Sequence, residues 1–384
     1  LALLERLGSR ALTRMQPRLA IPAIAPGGRV AWLRRTGLPA PLHLAGALAR
    51  YGHLSPAERF RAAVTALALA RLDPDDPRLD ALTFGEWLAR RGQSPRALAG
   101  LWELIGRPTL NLPASEASLA LAVRVFQIGL LSDAAAGDIG WATAPLSEVH
   151  DAPARRALAD AGVDVRLRWR ATQVTQEGDG WTVEGEADRV VADAVILAVP
   201  HERLAPLLPA DALDAPERLT ALGRSPIVNL HVVFDRPVTE LELAAGVGSP
   251  IQWVFDRTRA AGVRSGQYLA VSLSAADREM SLSNDELRSR HLAALAELFP
   301  AASGAKVARF LVSREHAATF RAGPGVAAQR PGARTRLPGL ALAGAFTDTG
   351  WPATMEGAVR SGQAAAEEVR DTLRRPLPAV AVAT

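Results

Sequence analysis

The sequence predicts a two-domain protein of mixed α/β (α+β) class, and three observations carry that prediction. Residues 1–131 read mostly at helical spacing. From Val163 the apolar pattern changes to a period of two. Residues 337–370 then read as strand, loop and helix in one pass. A chain of 384 residues is long enough to bury a large core shared between two intertwined domains.

The elements follow in order. Residues 1–15 are expected as a helix and residues 20–34 as short strands turning at Pro26–Gly27–Gly28. Residues 39–72 give two helices divided at His53–Leu54–Ser55–Pro56, where Ser55 caps the second and Pro56 takes its first position. Pro74 and Pro77 mark residues 73–80 as a loop. Thr83 caps the next helix, with Glu86 closing a capping box. Ser94–Pro95 opens a helix to about Ile105, and Pro108 to Pro113 breaks it. Residues 115–131 are helical again, residues 138–150 are irregular, and residues 153–161 form a helix ended by Gly162.

Val163, Val165, Leu167 and Trp169 alternate as a strand does. Residues 173–175 and 181–185 flank a turn at Gly178–Asp179–Gly180, and residues 190–200 read as one buried strand. Residues 227–234, 251–255, 268–273 and 307–312 are four more strands, with a helix over 285–299 lying across them. A Gly- and Pro-containing return follows over 314–331. Residues 340–346 suit a strand buried on both faces. Pro352 keeps Trp351 out of the helical region, so a helix starts near Ala353 or Thr354. Met355, Ala358, Val359, Gly362, Ala366 and Val369 fall on one stripe of that helix, and Gly357 and Gly362 permit a close approach to it. Residues 376–384 read as a frayed tail.

Composition narrows the function. The chain has no Cys, which excludes disulfides and thiolate metal sites and fits a reducing, cytoplasmic location. Its seven His are scattered, with no H-x-x-x-H pair or acidic cluster, so no metal is expected. Of the 44 basic residues only Lys306 is Lys, a bias of a GC-rich genome, and the modest net charge of +4 does not indicate nucleic acid. Charge is unevenly spread: residues 1–72 hold eleven Arg against Glu5 and Glu58, giving +9 and leaving about −5 for the rest. A basic, apolar segment of this kind suits the anionic inner face of a cell membrane; a solvated Arg face is an equally good reading. No apolar run reaches the ~18 residues of a spanning helix. The chain opens on Leu1, already inside an amphipathic pattern with Leu4 and Leu7, which reads as a start beyond the natural N-terminus.

In the C-terminal stretch a Gly-rich strand and a Thr-containing loop lead into Pro352, Thr354, Glu356, Gly357, Ala358, Ser361 and Gly362. That order resembles the P-x-T-x-E-G-A-x-x-S-G flavin segment of the amine oxidase and phytoene desaturase superfamily. The resemblance implies an FAD-dependent fold: a Rossmann-type FAD domain, truncated here, beside a helical and sheet substrate domain. On that reading residues 1–137 are the helical substrate- and membrane-facing region, 138–225 the middle of the FAD domain, 226–330 the substrate-domain sheet and 331–375 the C-terminal FAD segment. It implies cofactor contacts from Ala171, Gly344, Ala345, Asp348, Pro352, Thr354, Met355 and Glu356, with Ala198–Val199–Pro200 closing over the cofactor. Two departures stand out. Ala345 occupies the place of the family's ribityl-binding Asp, and the strand–G-x-G-x-x-G–helix fingerprint is not found; Gly27–Gly28 has no second glycine pair.

Residues 108–113 (PTLNLP), 138–150 and 347–354 (TDTGWPAT) resemble the squalene-associated branch of the superfamily. That implies reductive removal of the hydroxyl from hydroxysqualene, a long apolar tunnel between residues 39 and 131, and Asn111, Trp141 and Trp351 as substrate-lining residues. Asp138, Glu148, His150 and His316 are proton-donor candidates by residue type only. The alternatives are a carotenoid-type desaturase, an amine oxidase, whose aromatic cage the two Tyr make less apt, and a non-catalytic membrane-surface partner of polyprenyl synthases. Contact with squalene-pathway synthases is a further expectation.

Overall fold

The computed structural model describes residues 1–374, so the tail expected over 376–384 lies outside the described residues. The chain divides into two units. One comprises Leu1–Val165 and Ser225–Ala318; the other comprises Arg166–Arg224 and the chain from Thr319 onward. Among the described residues three α-helices have 14 residues or more: α1 (Pro56–Leu69) and α2 (Asn284–Leu298) in the first unit and α3 (Met355–Arg374) in the second.

The first unit is built on one seven-stranded sheet. Its strands are β1 (Ala20–Ala25), β2 (Arg29–Arg34), β3 (Ser225–Phe234), β4 (Leu243–Gly246), β5 (Trp253–Asp256), β6 (Gln267–Ser274) and β7 (Val307–Thr319), in the order β7-β3-β6-β5-β4-β1-β2. The expected hairpin of β1 and β2 is present. It joins the later strands through a parallel pairing of β1 with β4, in which Ala23 faces Ala245.

Alternation decides what each face of the sheet does. On β3, Val228, Leu230, Val232 and Phe234 are buried, while Ile227, Asn229, His231 and Val233 face the other way, half-buried. The first set meets α2, which buries Leu287, Ala294, Leu295 and Leu298 against it. A capping box between Ser283 and Glu286 starts α2. Each such leucine contributes roughly 1.5–3 kcal/mol by leaving water. On the opposite face, helical segments bring Tyr51, Leu54, Ala97 and Leu104 down on Ile21, Ala23, Ala245 and Trp253. His53 Nε2 lies 2.8 Å from Ala23 O, and Tyr51 Oη donates to Gly100 O at 2.7 Å. These covering helices reach the β1, β2, β4 and β5 end of that face.

The helical run from Pro95 to Leu110 corrects one expectation. Pro108 does not end it; the run ends at Asn111, which takes a left-handed conformation (φ 52°). Pro108 has no N–H to offer the carbonyl four residues back, Leu104 O. The indole Nε1 of Trp253 donates to that carbonyl instead, at 3.1 Å. Trp253→Phe is therefore expected to cost about 1–3 kcal/mol in urea unfolding. Adding Pro108→Ala should recover part of that loss, because the restored N–H reaches Leu104 O. Simple additivity of the two changes would show that the groups are not coupled.

Two other expectations fail here. Residues 1–15 are not one helix. Gly8 turns to φ 70° after a helix over Ala2–Arg6, and Thr13–Met15 becomes a strand paired with Gly140–Ala142. Residues 163–169 form no strand, because Arg168 sits at φ 57° and leaves the alternating Val163, Val165 and Leu167 exposed.

The second unit holds an antiparallel three-stranded sheet (Ala171–Glu177, Gly180–Gly185 and Arg189–Ala192) and a parallel pair (Val195–Leu197 with Leu340–Leu342). Residues 190–200 are thus two strands in two sheets, not one. They are not buried throughout: Val191 is 69% exposed. Helix α3 lies against Leu340–Leu342. Its buried stripe is Gly357, Ser361 and Ala365, offset from the expected one; Met355, Ala358, Gly362 and Ala366 face outward. Of the two glycines, Gly357 is the one that needs to be small. A Cβ there would lie 2.8 Å from Pro352 O, whereas nothing crowds Gly362.

Candidate functional site

In the second unit, the site grows out of the end of strand Leu340–Leu342. Ser361 on α3 ties helix to strand: its Oγ accepts from Gly344 N (2.8 Å) and donates to Ala358 O (2.7 Å). The chain then turns. Thr347 N and Oγ1 both donate to Gly344 O, at 3.0 Å each. Arg330 holds this turn from beneath, buried, with its guanidinium donating to Phe346 O at 3.1 Å and also to Ala345 O and Thr347 O. Phe320 stacks on it, 5.0 Å from ring centroid to guanidinium carbon. Nothing in the sequence marked Arg330 out; it is one Arg among many, in the Gly/Pro-containing return.

Seven of the eight residues expected to meet the cofactor lie on this turn and the start of α3. Thr354 is the helix cap, its Oγ1 accepting from Gly357 N (3.1 Å) and its carbonyl from Ala358 N (3.0 Å). Met355 and Glu356, in the first turn, then present backbone N–H groups with no acceptor among the described residues. Thr349 Oγ1 is buried and also lacks a partner. Such an orphan costs about 1–3 kcal/mol unless something outside the chain satisfies it. Gly344 and Ala345 are half-buried, Pro352 is buried, and Asp348 is exposed with one oxygen accepting from Gly350 N (3.2 Å). The Glu356 side chain pairs with Arg360 at 2.8 Å, and Arg360 lies over Trp351 (4.6 Å). Ala171, the eighth, opens the three-stranded sheet beside a bulge at Thr172.

These donors fit a flavin. A buried orphan hydroxyl, two free N–H groups and the positive end of a 20-residue helix together favour an electron-rich ring edge. Ala345 supplies no carboxylate for a ribityl chain, so that contact is lacking at this position.

In the first unit the expected proton donors are dispersed. Asp138 is committed elsewhere. Its Oδ1 accepts from Arg35 Nε and from Leu19 N, each at 2.6 Å, and its Oδ2 from Arg35 Nη2 at 2.6 Å. The Arg35 guanidinium holds its pKa below the usual aspartate range. That contribution to stability is complete above the unfolded value near ~3.9 and is lost as pH falls through it toward the lower folded value. Asp138→Asn should therefore lower stability at pH 7 and flatten the acid limb of a stability–pH profile by one carboxylate. An unchanged acid limb would show the pair to be inert. Glu148 and His316 are exposed, and His150 is half-buried. Trp141 is paired with Arg14 on the short Gly140–Ala142 strand, with the Arg14 guanidinium 5.7 Å over its ring. Asn111 is buried and joins two chain ends: Nδ2 donates to Ser225 O (3.0 Å), and Oδ1 accepts from Ala275 N (2.7 Å). No metal-binding cluster occurs among the described residues.

A cavity of about 190 Å3 lies between the covering helices and the β1–β2 end of the sheet. Only carbon-rich side chains line it, among them Leu19, Ile21, Leu33, Trp102 and Phe126. Neither Asn111 nor Trp141 is among them. Leu42 and Leu67 extend from its wall to the surface, where Phe60 and Val64 continue the same apolar face of α1; Phe60 is 72% exposed.

The fold and the C-terminal turn define a flavoprotein class, and comparison with known proteins agrees. The profile of the flavin containing amine oxidoreductases matches residues 1–370, and the chain belongs to that family. It is 34% identical over 265 residues to a hydroxysqualene dehydroxylase from Rhodopseudomonas palustris, covering 68% of this chain and 59% of that protein. It is 25% identical over 356 residues to a 15-cis-phytoene desaturase from Narcissus pseudonarcissus, covering 86% and 61%. The chain thus spans about three fifths of the length of these relatives. Among solved structures, a putrescine oxidase variant superposes with a TM-score of 0.65 at 19% identity, over 97% of this chain and 85% of the other. Cyclohexylamine oxidase from Brevibacterium oxydans superposes with 0.61 at 19% identity, over 97% and 85%. These two likenesses concern the fold.

Proposed function

We propose that the protein is an FAD-dependent oxidoreductase that removes the hydroxyl of hydroxysqualene, giving squalene for hopanoid-type synthesis. The observation that carries this is the cavity walled by apolar side chains with no charged group among them, which suits a hydrocarbon chain and offers an amine no counter-charge. The dehydroxylase relative from R. palustris supports it. When bound, reduced FAD supplies the hydride; the chain's part is to hold the flavin's pyrimidine edge with the N–H groups of Met355 and Glu356 and the hydroxyl of Thr349. The exposed Phe60–Val64–Leu67 face of α1 and the excess Arg of residues 1–72 support docking on an anionic membrane surface, from which such a substrate, or the synthase that makes it, is met. No helix among the described residues is long and apolar enough to cross a membrane.

The test is anaerobic incubation of the full-length flavoprotein with reduced FAD and hydroxysqualene, read for squalene by mass spectrometry. Squalene that depends on flavin is the expected result. A flavin-loaded protein that makes none, yet desaturates longer polyenes with oxidised FAD, would transfer the reading to the desaturases, which the Narcissus relative favours. A folded full-length protein unable to take up FAD would leave a non-catalytic membrane partner. For docking, Phe60→Asp with Val64→Asp should abolish co-flotation with phosphatidylglycerol vesicles; unchanged flotation would remove the membrane from the reading.

A further inference from the structure

Three polar side chains on neighbouring strands of the first unit form a hydrogen-bonded chain at the end of the sheet away from β1 and β2. His231 on β3 has Nδ1 at 2.6 Å from the Tyr268 hydroxyl on β6, and Nε2 at 3.3 Å from Ser313 Oγ on β7. All three are half-buried. They share their face with the apolar cavity. Leu33 on β2 pairs with Ile21 on β1, and both line the cavity. The parallel register of β1 with β4 carries that row to Leu243, which pairs with Phe255, then Ala270, then His231. Directly paired residues point to one face of a sheet. One row therefore runs from the cavity wall to the imidazole, across five strand spacings of ~4.8 Å, or about 24 Å.

We propose that Tyr268, backed by His231 and Ser313, is the proton source for the hydroxyl that leaves the substrate, with the hydrocarbon lying along this row into the carbon-lined cavity. This rests on the dehydroxylase reading. The step balances as follows. The C–O bond breaks and its electron pair goes to oxygen, which takes the Tyr268 proton and leaves as water. Reduced flavin, the co-reactant of the proposed reaction, would supply when bound the hydride that the carbon needs for its new C–H bond. Tyr268 regains a proton from His231 Nδ1, His231 Nε2 takes one from the Ser313 hydroxyl, and half-buried Ser313 takes its replacement from solvent water, so the net proton consumed comes from solvent. The tautomer required has Nδ1 protonated and donating to the Tyr268 oxygen, which frees the phenol hydrogen to point at a ligand. Burial favours the neutral imidazole, which can both give and receive, and it keeps the phenol protonated until substrate arrives. Arg257, bonded through its N–H to Tyr268 O (2.9 Å), lies near enough for its charge to favour the phenolate left behind.

The experiment uses the full-length flavoprotein with reduced FAD in single turnover, following flavin reoxidation and squalene together. Two substrates are compared: hydroxysqualene and its acetate ester, whose leaving group needs no proton. Tyr268→Phe should slow the alcohol about 100-fold, within the usual range for general acid catalysis, leave its binding unchanged, and turn over the ester within about threefold of wild type. The solvent deuterium isotope effect seen with the alcohol should vanish with the ester. His231→Gln should slow the alcohol by about tenfold and spare the ester. A Tyr268→Phe protein as fast as wild type on the alcohol, or equally slow on both substrates, overturns the assignment while the dehydroxylase reading stands. Wild-type protein inactive on both substrates overturns that reading and this inference with it.

Discussion

Arg330→Met is expected to abolish flavin retention and to destabilise the second unit by about 3–5 kcal/mol. Arg330 donates to the carbonyls of three successive residues, Ala345, Phe346 and Thr347, of which Phe346 and Thr347 are buried. Hydrogen bonds from a charged donor contribute about 1.5–3 kcal/mol each, and a buried carbonyl left alone costs a comparable amount. Methionine fills the space beside Phe320 but satisfies none of the three oxygens. The turn would then rearrange, and with it the path from Gly344 to Thr349 that we propose meets the flavin. Arg330→Lys keeps the charge but offers one point in place of a planar fork, so it should fall between wild type and Met. The measurement is urea unfolding together with flavin absorbance after gel filtration. Full retention of flavin by the Met variant would show that the turn holds its shape without the guanidinium.

Asn111→Ala should be the most damaging single change in the first unit, at about 3 kcal/mol or more. The side chain bridges Ser225 O and Ala275 N, and Ser225 Oγ donates to the Asn111 carbonyl at 2.5 Å. Ala leaves a buried acceptor, Ser225 O, and a half-buried donor, Ala275 N, without this partner, the buried one worth roughly 1–3 kcal/mol, and tolerates φ 52° poorly. Asn111→Gly separates the two causes, since it relieves the backbone and loses only the bridge. If Gly and Ala variants melt alike, conformation contributes nothing and the bridge accounts for the whole effect.

Several elements could be read from sequence because their causes are local. Ser55 caps its helix as expected, and Thr83 with Glu86 forms the capping box its spacing implies. The alternation of 227–234 is that of a strand with one face on a helix. The order of residues from Gly344 to Ser361 placed the loop and helix start correctly. What failed depended on partners distant in the chain. Strand β4 is Leu-Ala-Ala-Gly, with no β-branched residue, and is a strand because β1 and β5 flank it. The buried stripe of α3 is set by how closely Gly357 and Ser361 approach the neighbouring turn and strand, which periodicity alone does not reveal. Arg330 acts on carbonyls fifteen to seventeen residues later. His231 and Tyr268 were not singled out by the sequence; only the sheet order makes them neighbours of each other and of Ser313.

The parallel pairing of β1 with β4 has a bearing on synthesis. Strand β1 leaves the ribosome about 220 residues before its partner, which at the usual ~5–20 residues per second is on the order of 10–45 s. During that interval Ile21, Ala23 and the helices that pack on them have no completed sheet to rest on. The nascent chain therefore carries the unpaired edge of β1, and the Leu104 carbonyl that Trp253 serves, open to water until residues 243–256 arrive. That makes the first half of the chain a natural client for a holding chaperone and a poor fragment to express alone.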